Sequence, residues 1–74
     1  MTTNSYNSAF GERVRHLRLE RNLSQEELSL KAGLDRTYVS ALERGRRNPT
    51  LSTIATVLSA LDISFGDFFK GFDS

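Results

Sequence analysis

Helix start signals recur along this chain at short, similar intervals, and they restrict it to a set of short helices packed around one core. Ser24-Gln25-Glu26-Glu27 forms a capping box. The Ser24 hydroxyl can accept from the backbone N–H three residues on, and Glu27 can reach back to the N–H of Ser24. Asp35, Thr50 and Ser64 mark three further starts, each followed by apolar residues at helical spacing. Stop signals alternate with them. Asn22 tolerates the left-handed conformation that closes a helix, Gly33, Gly45 and Gly71 adopt it freely, and Asn48-Pro49 forces an extended step. Strand alternation, internal repeats and low-complexity tracts are missing from the sequence, so the expected class is all-α.

Five helices account for most of the chain. The first is expected from Ser8, with Phe10, Val14 and Leu17 on one face and Arg13, Arg15, Arg18 and Arg21 on the others. Met1 to Asn7 are polar and aperiodic and read as a loose arm, leaving 8–74 as a single domain. The second helix turns Leu28 and Ala32 inward, and the third Val39 and Leu42. The fourth carries the stripe Leu51, Ile54, Ala55 and Leu58, and the fifth opens at Ser64-Phe65-Gly66-Asp67.

A chain of 74 residues buries only about 60% of the surface its unfolded form exposes. Folds of this size often lean on a disulfide, a metal or a second subunit. Cysteine is absent and there is one histidine, His16, which excludes disulfides, thiolate metal sites and a metal cage made by histidine alone. Neither a metal nor a cofactor is called for, and a second copy of the chain is the remaining expectation. No apolar run approaches the ~20 residues that span a bilayer, and no secretory leader is recognisable. The default location is the cytoplasm, without a membrane partner. His16 stands between two arginines with no accompanying nucleophile or carboxylate constellation, so it reads as a surface residue and the chain as a non-enzyme.

The net charge of +1 is unevenly placed. Leu34 to Thr50 holds Arg36, Arg44, Arg46 and Arg47 against Asp35 and Glu43, a balance of +2, while Leu51 onward holds Asp62, Asp67 and Asp73 against Lys70, a balance of −2. The basic stretch coincides with a second pattern. Two short helices meet through Ala32-Gly33-Leu34-Asp35, the glycine-containing turn of a helix-turn-helix. Ser29 supplies the small side chain that a steep crossing needs, and Leu28, Leu34, Val39 and Leu42 the apolar wedge that fixes its angle. Arg36, Thr37, Ser40 and Ala41 remain outward on the third helix, with Tyr38 at its edge. Arginine can pair with guanine O6/N7, hydroxyls with either partner, and methyl groups with the thymine methyl, so this set can read double-stranded DNA.

These residues also carry a resemblance. Leu23-Ser24-Gln25-Glu26-Glu27-Leu28 followed by Ala32-Gly33-Leu34 resembles the phage-repressor/Cro-like (XRE) helix-turn-helix family, over roughly Phe10 to Phe69. Arg18-Leu19-Glu20-Arg21, Leu34-Asp35-Arg36-Thr37-Tyr38-Val39-Ser40 and Glu43-Arg44-x-x-Arg47-Asn48 are similar, more narrowly, to the controller proteins of restriction–modification systems. The resemblance implies a compact five-helix, lambda-repressor-like DNA-binding domain. It implies a homodimer on a pseudo-palindromic operator, with two dimers on tandem sites, activating transcription first and then repressing it. It assigns base reading to Arg36, Thr37, Tyr38 and Ser40. Backbone contacts fall to Gln25, Arg44, Arg47 and Asn48, and the arginine cluster adds Arg46, which the family pattern skips. Glu26 matches the acidic position offered to the RNA polymerase sigma factor. Ser29 and Asn22 depart from the commoner alanine and glycine, and both substitutes are small or turn-tolerant.

Several residues admit a plainer role. Tyr38 can pack on the first helix instead of facing DNA, and acidic residues at the start of the second helix suit its dipole whatever Glu26 contacts. Four phenylalanines, Phe65, Phe68, Phe69 and Phe72, fall within eight residues, more than a core this small should absorb. Some close the core and the rest mark a contact surface. The dimer interface is expected through the last two helices, with Leu51, Ile54, Val57, Phe65, Phe68 and Phe69. An autorepressing antitoxin, a Cro-like repressor and a protein-binding helical domain without DNA are the alternatives.

Overall fold

The structure, a computed structural model, describes residues 3–72. Helices α1 (Thr3–Glu20), α2 (Gln25–Ala32), α3 (Arg36–Glu43), α4 (Leu51–Ala60) and α5 (Phe65–Phe69) follow one another, and no strand occurs among the described residues. None of the helices is long and apolar enough to cross a membrane. The all-α, five-helix expectation is met.

Caps set the boundaries. Ser24, Thr50 and Ser64 each accept a bond from the backbone N–H three residues on, and the Ser24–Glu27 capping box is complete, with Glu27 accepting from the Ser24 N–H at 2.7 Å. Asp35 occupies the N-cap position of α3 in extended conformation, but its side chain makes no capping bond. Four helices close in the same way, through a residue with positive φ: Asn22 after α1, Gly33 after α2, Gly45 after α3 and Asp62 after α4. At each, the residue after it donates to a carbonyl five positions back, as Arg46 does to Ala41 at 3.0 Å and Ile63 to Leu58 at 3.1 Å. This is the Schellman closure, which satisfies carbonyls that would otherwise be orphaned.

The first helix starts earlier than the sequence suggested. Thr3 to Asn7, expected as a loose arm, continue α1; Met1 and Thr2 lie outside the described residues. No glycine or proline interrupts the chain ahead of Phe10. Once Phe10, Val14 and Leu17 anchor the helix, each added residue gains a bond without a new nucleus.

The core joins Phe10, Val14 and Leu17 of α1 to Leu28, Val39, Leu42, Val57, Leu58, Leu61 and Phe68. Helix α4 is rotated relative to its expected stripe. Val57, Leu58 and Leu61 face the core with Ile54 half-buried, whereas Ala55 is exposed and Leu51 is 72% exposed at a first turn that no neighbouring helix covers.

Arg13 and Arg18 of α1, with Arg21 just beyond its end, tie the ends of α3, α4 and α5 to the first helix. Arg13 donates to the carbonyls of Asp67 and Phe68 at the end of α5, both at 3.1 Å. Arg21 donates to the Leu61 carbonyl at the end of α4, at 2.6 Å. Arg18 reaches Glu43 at the end of α3. Each cation sits where the helix dipole is negative. Gly11 and Gly45 let α1 and α3 approach closely. A Cβ on Gly11 would lie 2.7 Å from the Glu43 carbonyl oxygen and nearer still to that of Leu42; one on Gly45 would lie 2.9 Å from the Ser8 Cα.

Candidate nucleic-acid interface

Helices α2 and α3 meet as the sequence requires. Gly33 turns left-handed at φ 69°, and Leu34 donates back to the Ser29 carbonyl at 2.9 Å. Ser29 is buried at the crossing, where its hydroxyl is spent on the Glu26 carbonyl at 2.7 Å, so a polar side chain fits among apolar neighbours. Leu28, Val39 and Leu42 are fully buried and Leu34 half-buried, which makes α3 a rod fixed against α1 and α2.

The outer face of that rod is polar. Arg36 and Thr37 are exposed on the first turn, and Ser40 follows one turn later, half-buried. Arg44, another turn on, is exposed and donates to the Ser40 hydroxyl at 3.2 Å. Tyr38 lies at the edge, half-buried against the core, with the Arg47 guanidinium 5.1 Å above its ring. The ring thus packs inward, as its plainer role expected, and carries a cation over its face. Arg46, Arg47 and Asn48 are exposed in the loop after α3. Asn48 also borders a groove of about 300 Å³ whose other walls include Tyr6, Phe10, Pro49, Ile54, Phe69 and Phe72. Glu26 is exposed at the start of α2, and the capping bond there belongs to Glu27.

The sequence reading missed the group that holds this surface together. Arg18, read as an outward residue, is buried; its Nε donates to Glu43 Oε2 at 2.7 Å and its Nη2 to Oε1 at 3.1 Å. The third nitrogen donates to the Leu23 carbonyl at 2.7 Å. Gln25, half-buried at the first position of α2, donates from Nε2 to Glu43 Oε1 at 3.0 Å. Two signals were available. Arg18 follows Val14 by one turn, on the core side, and Glu43 puts an acid in the last turn of a helix, where the dipole disfavours it. The pairing also changes the charge presented to solvent. With Glu43 turned inward, four exposed arginines on α3 and its loop face Asp35 as the one exposed acid between Leu34 and Thr50.

The apolar tail divides. Phe68 is fully buried, with its ring 5.2 Å from Phe10 and 4.8 Å from Phe69, and Val57 is fully buried as well. Neither can belong to an interface between copies, because both side chains already fill the core of one chain. Phe65 remains 43% exposed and stacks on Phe69, itself half-buried. With Leu51 and Ile54 they leave an apolar face on α4 and α5. His16 pairs with Glu20 at 3.1 Å on the exposed side of α1, in keeping with a surface role.

Residues 14–68, which include every element of this surface, match the Helix-turn-helix family. The chain belongs to the helix-turn-helix family. Over 62 residues it is 44% identical to control protein C.BamHI of Bacillus amyloliquefaciens, a match that takes in 82% of this chain and 76% of that one. The restriction–modification controller protein C.AhdI from Aeromonas hydrophila has a closely similar structure, with a TM-score of 0.87 and 42% identity over 93% of this chain and 100% of that one. The controller protein C.Esp1396I has been crystallised as a tetramer in complex with its natural 35 base-pair operator; its TM-score is 0.84 and its identity 35%, over 88% of this chain and 86% of that one. This helix-turn-helix chain is thus similar, in sequence and in structure, to controller proteins of restriction–modification systems.

Proposed function

We propose that this protein is a sequence-specific DNA-binding regulator of transcription, the controller of a restriction–modification system, acting as a homodimer on a pseudo-palindromic operator. The observation that carries the reading is the outer row of α3: Arg36, Thr37 and Ser40 on a rod whose inner side is locked into the core, with exposed arginines continuing beyond it. Arg36, Thr37 and Ser40 read base edges in the major groove, and Tyr38 contributes at the edge of the same row. Gln25, Arg44, Arg46, Arg47 and Asn48 hold the phosphates on either side, supplying affinity and salt dependence.

Leu51, Ile54, Phe65 and Phe69 form the contact between two copies, placing two recognition helices about 34 Å apart on one face of the duplex. Two such dimers on tandem sites give activation at low occupancy and repression when the second site fills. Glu26, whose carboxylate is exposed and not needed for the cap, meets the polymerase sigma factor in the activating complex.

Gel retardation with a duplex recovered by selection from random-sequence DNA tests the reading. Arg36→Ala abolishes the sequence preference and leaves the helical circular-dichroism spectrum unchanged. A variant that retains the wild-type preference removes Arg36 from the reading surface.

A further inference from the structure

We propose that Arg18 and Glu43 are positioning residues for the phosphate contact of Gln25, a role that rests on the protein being a DNA binder. The Glu43 carboxylate receives three bonds, two from the Arg18 guanidinium at 2.7 and 3.1 Å and one from the Gln25 amide at 3.0 Å. It is thereby the point at which α1, α2 and α3 meet. Arg18 also holds the Leu23 carbonyl, so the segment leading into Gln25 is fixed from the same guanidinium.

Stability alone does not explain this arrangement. Apolar residues of similar volume commonly replace a buried ion pair at no loss. What an apolar pair cannot do is orient an amide. A carboxylate gripped by a guanidinium accepts and does not donate, so it takes only the NH2 end of Gln25, never the carbonyl end. One N–H of that nitrogen is spent on Glu43, which fixes the amide plane and the direction of the other. A glutamine free at a surface loses its rotamer freedom when it meets a phosphate; one already held loses less.

The placement matters as much as the orientation. Gln25 begins α2, ahead of the recognition helix, and Glu43 immediately precedes Arg44, Arg46, Arg47 and Asn48 behind it. The network sets the front and rear backbone contacts in one register, and Gly11 pressed against the Glu43 carbonyl keeps that end of α3 in place.

A double-mutant cycle read on DNA affinity tests the role. The background variant is Arg18→Met with Glu43→Met, and the probe is a duplex selected by the wild-type protein. In the wild type, Gln25→Ala weakens binding about tenfold, as expected for one hydrogen bond to a charged group. Its salt slope is unchanged, because the side chain is neutral. In the apolar background the helical spectrum is retained, binding is already about tenfold weaker, and Gln25→Ala weakens it by less than about twofold more. An equal loss in both backgrounds overturns the role.

If the apolar pair fails to fold, Glu43→Gln with Arg18 intact takes its place and is expected to shrink the Gln25→Ala effect in the same way. A readout without DNA accompanies both. The Gln25 side-chain amide protons exchange slowly in the wild type and quickly once Glu43 is replaced; slow exchange in both overturns the proposal. A wild type that shows no salt-dependent binding to any duplex sinks the DNA reading instead, which keeps the two failures apart.

Discussion

Arg36 and Arg47 are both exposed arginines within one short segment, and they are expected to behave differently. Arg36 belongs to the outward row of α3 proposed to read base edges, so its loss is expected to abolish preference among sequences. Arg47, held over the Tyr38 ring, is assigned to phosphate in the proposed reading. Arg47→Ala is expected to weaken binding uniformly across sequences and reduce the salt slope by about one, measured by fluorescence anisotropy at a series of salt concentrations. Arg18 acts inside the protein. Arg18→Ala leaves Glu43 buried without its cation and is expected to cost about 3–5 kcal/mol in urea denaturation, more than any exposed arginine. Among single residues, the sequence made the outward row of α3 legible because helical periodicity alone decides which side chains face away from Val39 and Leu42. It did not reveal Arg18, because a place one turn after Val14 is a weak signal among the three arginines of α1; its partner, distant in sequence, makes it a core residue.

Helix starts and stops were legible because they are local chemistry: a hydroxyl three residues ahead of an N–H, or a residue that tolerates positive φ. Asp62 was overlooked because aspartate signals a left-handed closure less strongly than glycine or asparagine, although it performs the same task as Asn22. The rotation of α4 was not legible. Its apolar residues outnumber those that the core can take, so tertiary packing chose Val57, Leu58 and Leu61 over Leu51 and Ala55. Contacts between elements carry their own predictions. Gly11→Ala pushes α1 off the carbonyls at the end of α3 and is expected to destabilise the fold by about 1–3 kcal/mol, read as a lowered thermal midpoint. Arg13 is the cation on the carbonyls that end α5, a helix of only five residues. Arg13→Ala is expected to speed amide exchange in α5 and leave α2 and α3 protected.

For the whole molecule, the small core and the apolar face outside it belong together. Val57 and Phe68 were expected at the interface and instead close the core, because a domain this small needs every fully buried side chain it can gather. What remains outside, Leu51, Ile54, Phe65 and Phe69, is the surface proposed to pair two copies. Leu51→Lys is expected to shift the protein to monomers in sedimentation velocity without lowering its helical content. If the wild-type dimer is already inseparable at nanomolar concentration, transcription cannot be switched through accumulation of the protein, and that part of the regulatory account fails. The proposed assembly would tie the two recognition helices to one spacing, and hence the protein to one kind of site. Selection from random-sequence duplexes measures that directly. The recovered sites should be inverted repeats with half-site centres about 10–10.5 base pairs apart or a multiple of that. Recovery of unrepeated sites, of direct repeats, or of no shared sequence would contradict it.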